Sequence, residues 1–151
     1  MALSVFVAMF LLQAFVVTDR ESVLERLDEF VAAVVKEDIA GAGRVISSAY
    51  DGEGLDREAF IGSLEGWFAV IDIRDPRFQR RDVTVDGDQA VMNLAASATV
   101  SLRKEAGSTH WGVWRIEWRR EAEGWSISRV EPVSLDAMPV KSLSDLRGLV
   151  P

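Results

Sequence analysis

Four sets of side chains in this sequence are of types that carry chemistry. His110 is the only imidazole, the group best suited to moving a proton near neutrality. Asp51, Glu53 and Asp56 bring three carboxylates into one short stretch, the hard oxygen donors that calcium takes. Arg74, Arg77, Arg80 and Arg81 make a local basic patch before the first long strand, suited to an anionic ligand, a phospholipid headgroup or an acidic partner. Trp111, Trp114, Trp118 and Trp125 crowd four of the five tryptophans into 15 residues. That is aromatic surface for the core of a small sheet, or for a partly open pocket that takes an apolar molecule.

Each set has a plainer reading beside the chemical one. A proton-transfer histidine needs a second imidazole or an acid to orient it, and the spacing around His110 supplies neither, so it is a weak catalytic candidate. The carboxylates at 51–56 lack the full ligand series of a calcium loop, and Asp56 stands where a helix needs its cap, so no metal is expected. Asp72, Asp75 and Asp82 dilute the arginine patch, as in an ordinary solvated charged segment. Stacking nucleic-acid bases on the tryptophans would require a basic groove. The chain instead carries 24 acidic against 17 basic residues, a formal charge of −7, and nucleic acid is not an expected partner. The absence of cysteine excludes disulfides, thiolate zinc sites, iron–sulfur clusters and thiol nucleophiles. No cofactor is expected.

At 151 residues and 48% hydrophobic content, the chain is one domain with enough apolar material for a core. Residues 1–17 are hydrophobic except for Ser4 and Gln13. As a helix, the uncharged run from Ala2 to Val17 would reach about 24 Å, short of a hydrocarbon core of about 30 Å. It lacks the basic start and small-residue cleavage site of a cleaved signal. The expectation is a signal anchor that holds the protein at a membrane or exports it. If the run is instead a helix buried in the fold or in a dimer contact, the protein is cytoplasmic.

Between 19 and 65 the chain has 12 acidic and 5 basic residues, and from 66 onward 12 of each. The acidic stretch reads as three helices. Thr18 and Glu21 form a capping box ahead of Val23, Leu24, Leu27, Phe30, Val31 and Val34 at helical spacing. Asp38 caps a second helix with Ile39, Ala42, Val45, Ile46 and Ala49 on its buried side, weakened by Gly41 and Gly43. After a break at 51–54, Asp56 caps a third with Phe60, Ile61, Leu64, Trp67 and Phe68 on one face. The balanced stretch reads as antiparallel strands. The first long strand carries Val83 and Val85 to an Asp86-Gly87 turn. The second puts Ala90, Met92, Leu94, Ala96, Ala98 and Val100 on one face. The third, His110 to Arg120, puts Trp114, Ile116 and Trp118 on one face and Arg115, Glu117 and Arg119 on the other. The last runs from Trp125 to Val133 and is halted near Pro132. Helices first and antiparallel strands after them give an α+β fold, three N-terminal helices packed on one face of a strongly curved sheet.

Three segments, 85–91 (Val-Asp-Gly-Asp-Gln-Ala-Val), 113–120 (Val-Trp-Arg-Ile-Glu-Trp-Arg-Arg) and 123–132 (Glu-Gly-Trp-Ser-Ile-Ser-Arg-Val-Glu-Pro), resemble in order and spacing the strand signatures of the nuclear transport factor 2-like superfamily. That superfamily includes polyketide cyclase-like, ketosteroid isomerase-like and scytalone dehydratase-like proteins. The resemblance covers roughly Thr18 to Pro132. It implies a cone-shaped, cystatin-like domain over 18–134, between the leader and a C-terminal tail at 135–151, often as a homodimer packed through its sheet. Phe30, Tyr50, Trp67, Met92, Trp114 and Trp118 are the expected lining of the cone. The ketosteroid isomerase-like chemistry sets a carboxylate base against a buried tyrosine hydroxyl and a protonated carboxyl. Here Phe30 stands where the first-helix tyrosine would be, and the Gly-rich 51–56 loop replaces the acidic strand. The expected function is therefore a non-catalytic module that binds an apolar small molecule or another protein. The alternative is a small isomerase, dehydratase or cyclase acting in the cone.

Overall fold

The computed structural model describes residues 18–103 and 105–142. The leader at 1–17 and the end of the tail lie outside the described residues. Among the described residues, no helix is long and apolar enough to cross a membrane.

Helix α1, Asp19–Val35, starts on the expected capping box. The Glu21 amide donates to the Thr18 hydroxyl at 3.2 Å and the Thr18 amide to the Glu21 carboxylate at 2.8 Å. These bonds hold the Glu21 pKa below its ordinary value. The helix ends where no glycine announces a stop. Glu37 takes a φ of 56°, and the amides of Glu37 and Asp38 donate back to the carbonyls of Val34 and Ala33 at 3.1 and 2.8 Å. This is the double closure that glycine usually makes. Asp38 then caps α2, Ile39–Val45, accepting from the Gly41 amide at 2.9 Å. A Cβ on Gly41 would stand 2.2 Å from the Asp38 carboxylate, so this glycine makes room for the cap rather than merely weakening the helix. α2 is shorter than its apolar pattern suggests. The chain turns extended at Ile46, which bridges Ile127, and Ala49 is exposed. Helix α3, Arg57–Val70, is capped by Asp56 as expected. The Arg57 guanidinium donates to the carbonyls of Gly43 and Ile46 at 2.8 and 3.3 Å, satisfying the open end of α2.

Five antiparallel strands follow in the order β1-β2-β3-β4-β5: Ile71–Asp86, Gln89–Leu102, Ser108–Glu121, Gly124–Leu135 and Met138–Pro139. Two of them differ from the sequence reading. The first is already extended at Ile71, so the arginine segment lies in a strand and not before it. β1 is an edge strand, where charge and proline are tolerated and even protective. Pro76 falls within its register shift between Arg74 and Arg77. The second difference is at Pro132, which does not halt the last strand. It pairs with Trp114 beside another register shift, and β4 runs on to Leu135. Such bulges bend strands, and together they curve the sheet around the helices.

The core joins both layers. Val23, Leu27, Ala42, Val45, Phe60, Leu64 and Phe68 from the helices meet Met92, Leu94, Ile116, Trp118, Trp125, Ile127 and Val130 from the strands.

Candidate functional site

The interior of the cone is built from the loop after α2, from α3 and from the concave face of β2 to β4. Tyr50, 3% exposed, stacks on Phe60 with centroids 4.5 Å apart. Its loop runs along β4, where the Ser47 amide donates to the Ile127 carbonyl at 2.9 Å and the Asp51 amide to the Ser128 carbonyl at 3.0 Å. Gly52 lies against the phenol so closely that a Cβ there would stand 2.5 Å from the hydroxyl. The hydroxyl lies beside the Val130 backbone, near enough for that contact to lower its pKa against the effect of burial but in no well-formed hydrogen bond, and the indole N–H groups of Trp118 and Trp125 are buried without a partner. All three donors border one stretch of β4: Trp125 is on it, Trp118 pairs with Ile127, and Tyr50 is laced beside Ser128. Burial pushes the Tyr50 hydroxyl up to about 12, so it stays a donor across the physiological range.

Of the six residues expected to line this interior, Tyr50, Met92 and Trp118 are buried in the core. Phe30, Trp67 and Trp114 are partly buried against it. The Trp114 indole folds over Gly112, where a Cβ would meet its nitrogen at 2.5 Å. Phe30 on α1 is half-buried, and the one tyrosine of the sequence, Tyr50, is buried on the loop after α2.

The arginines do not converge. Arg74, Arg77 and Arg80 pair with Thr99, Ser97 and Ala95 and share the outer face, whereas Arg81 pairs with Leu94 on the concave side. Arg81 binds Asp28 of α1 at 2.8 Å and lies over the Phe78 ring. Arg74 and Arg80 sit near Asp72 and Asp82 at 3.8 and 3.6 Å. In the acidic loop, Asp56 is spent on its cap and Asp51 sits 3.8 Å from Arg129. Among the described residues, no group of three acids or histidines is placed to hold a metal.

His110 has the orienting acid that the spacing did not supply. Its Nδ1 lies 2.7 Å from Oδ2 of Asp136, and its Nε2 lies 2.8 Å from the hydroxyl of Ser108. The other Asp136 oxygen accepts from the Trp111 amide at 2.9 Å. That bond, followed by the one to His110, holds the Asp136 carboxyl below its usual range. Ser108 was legible from strand alternation, since residues two apart share a face. Asp136 was not, because it reaches His110 only through the β3–β4 register and the turn beyond it.

No protein-family model matches this chain, and no curated protein does. Solved structures do. A proposed aromatic ring hydroxylase from Novosphingobium aromaticivorans superimposes with a TM-score of 0.66 at 20% identity, covering 84% of this chain and 95% of that one. A nuclear transport factor 2-like protein from Cytophaga hutchinsonii gives 0.65 at 10% identity, over 82% and 99%. A ketosteroid isomerase-like protein from Erwinia carotovora atroseptica gives 0.65 at 14%, over 79% and 99%. The match to a longer Bdellovibrio bacteriovorus protein, with a TM-score of 0.59 at 12% identity, covers 80% of this chain and 40% of that one. The class these likenesses define is an α+β cone. The fold is the one these nuclear transport factor 2-like and ketosteroid isomerase-like structures share.

Proposed function

We propose that this domain binds an apolar small molecule bearing one or more acceptor oxygens in the interior between its helices and the concave face of its sheet. The observation that carries the reading is the set of three buried donors, Tyr50 Oη, Trp118 Nε1 and Trp125 Nε1, with no protein partner. Leaving a buried donor unpaired costs about 1–3 kcal/mol, and native cores leave few such groups. A carbonyl or ether oxygen brought in by a ligand would recover that cost, while its apolar body would be buried against Phe60, Met92 and Trp114.

Turnover in the cone, the alternative, asks for at least two converging ionisable groups. Among the described residues, the buried polar side chains besides Tyr50 and the indoles are serines: Ser97, Ser101 and Ser126 face outward on the sheet and Ser47 donates to Glu121, and none of the four exchanges a proton near neutrality. This supports binding over catalysis in the interior. Self-association through the outer face of the sheet, where Trp111 is 53% exposed, belongs to the same proposal, as does anchoring or export by residues 1–17.

The test is a titration of the full chain with medium-sized aromatic ketones and, in parallel, with hydrocarbons of the same shape, read by fluorescence of the buried tryptophans. Saturable binding is expected that favours the ketone, with the preference reduced about tenfold by Tyr50→Phe, the loss of one hydrogen bond of about 1.4 kcal/mol. Equal affinity for ketone and hydrocarbon, or no saturable binding to either, refutes the reading.

A further inference from the structure

We propose that Ser108, His110 and Asp136 form a second site, at the open rim of the sheet, that transfers the acyl group of small carboxylic esters to water. The three side chains make one unbroken hydrogen-bonded chain in the order hydroxyl, imidazole, carboxylate, with the two partners on opposite ring nitrogens at 2.8 and 2.7 Å. A carboxylate only accepts, so the ring proton sits on Nδ1 and the Nε2 lone pair faces the serine. That is the polarity a general base needs in order to take the proton of an attacking hydroxyl.

The acid is held more firmly than a surface ion pair requires. The Trp111 amide donates to its Oδ1 at 2.9 Å and its own amide donates to the Trp111 carbonyl at 2.8 Å. Its backbone stands at a φ of 48°, followed by Ala137 at 64°, the left-handed pair that the two-residue turn between Leu135 and Met138 requires, so the hairpin fixes where the carboxylate points. The site is also open: the His110 and Asp136 side chains are 38% and 37% exposed. Met138 pairs with Leu135, and Leu135 with Gly112, so Met138 shares the face of His110. It is 52% exposed and offers an apolar contact for the acyl chain. The sequence removes competitors, since it holds no cysteine and no second histidine.

In the reaction, the Ser108 oxygen bonds to the ester carbonyl carbon as its proton passes to Nε2. The bond from that carbon to the alcohol oxygen breaks, and the alcohol leaves with the proton from Nε2. Water then attacks the acyl-serine, giving a proton to Nε2. The serine–acyl bond breaks, the proton returns to Ser108, and the carboxylic acid departs. The balance is ester plus water to acid plus alcohol. With the site open to solvent, the substrates expected are activated esters with short apolar acyl groups.

The experiment uses the full chain with a fluorophosphonate, followed by peptide mass mapping, and with p-nitrophenyl butyrate. Expected are one label per chain on Ser108, its loss in His110→Gln, and at least tenfold slower labelling in Asp136→Asn. Asn keeps the acceptor for the Trp111 amide, and thermal melts of each variant verify the fold. Ser108→Ala is expected to lose the ester hydrolysis. Labelling elsewhere, labelling of Ser108 at a rate indifferent to His110→Gln, or ester hydrolysis that survives Ser108→Ala overturns the proposal, the last because it would mark the imidazole acting alone.

Discussion

Replacing Tyr50 by phenylalanine is expected to stabilise the free protein, the reverse of what removing a buried hydroxyl usually does. A hydroxyl with a hydrogen-bond partner contributes about 1 kcal/mol, whereas one buried without a partner costs about 1–3 kcal/mol. Tyr50 is of the second kind: it is 3% exposed and its oxygen makes no hydrogen bond. The substitution keeps the ring that stacks on Phe60 at 4.5 Å. It vacates no more than the ~10–15 Å³ one water needs, a cavity cost of about 0.3 kcal/mol at ~24 cal/mol per Å³. The net gain is then about 1–2 kcal/mol, or a rise of roughly 2–8 °C in melting temperature for a domain of this size. Urea denaturation followed by fluorescence of the buried Trp118 and Trp125 measures it. With a ketone ligand at saturation the order should reverse, because only the wild type regains its hydrogen bond. A Tyr50→Phe variant that loses 1 kcal/mol or more in the free state would show the hydroxyl to be satisfied, and the reasoning from unpaired donors would fail.

Other expectations follow from the same geometry. Tyr50 is the only tyrosine, so tyrosinate absorbance titrates it alone; its midpoint should lie near 12 in the folded chain and near 10 in denaturant. Between those values the unfolded chain loses a proton that the folded chain keeps, so stability should fall as pH rises, by about 3 kcal/mol at most, and Tyr50→Phe should remove that part of the decline. Gly52→Ala places a Cβ 2.5 Å from the hydroxyl and should cost about 1–3 kcal/mol, less when combined with Tyr50→Phe; additive losses in denaturation would refute the contact. Ala137→Gly relieves a φ of 64° and should stabilise the β4–β5 hairpin by about 1 kcal/mol, read as a higher melting temperature. Leu64→Ala, in the buried face of α3, should cost about 2–5 kcal/mol, and an unchanged denaturation midpoint would count against the helix and its packing.

What the sequence made legible was local, and what it hid depended on partners far along the chain. Thr18, Asp38 and Asp56 cap their helices as their positions suggest, because a cap bonds an amide only two or three residues away. The Asp86-Gly87 hairpin is equally local: Asp86 pairs with Gln89. The start of β1 was hidden because Arg74, Asp75 and Pro76 read as a solvated segment, and only its place at the edge of the sheet makes them acceptable in a strand. The end of α1 was marked by no glycine, since Glu37 takes the left-handed conformation itself.

The two candidate sites divide along the same line. The concave row of Met92, Trp114, Ile116 and Trp118 is legible from alternation alone, so the apolar face of the sheet could be anticipated. The unpaired state of Tyr50, Trp118 and Trp125 could not, because it depends on what the loop after α2 and strand β4 fail to offer them. Asp136 is the sharper case. It lies 26 residues from His110, and the pairing that joins them passes a register shift between Val113 and Trp114. With a second shift between Glu117 and Trp118, it moves the end of β4 two positions along β3, which keeps each side chain on its face and changes which residues meet. The bulge that Pro132 sits beside therefore does more than bend the sheet. By resetting the register of the end of β4, it brings the turn at Asp136 to the edge of β3 where Ser108 and His110 already share a face, and in doing so completes a hydrogen-bonded chain that no one of its three residues signals alone.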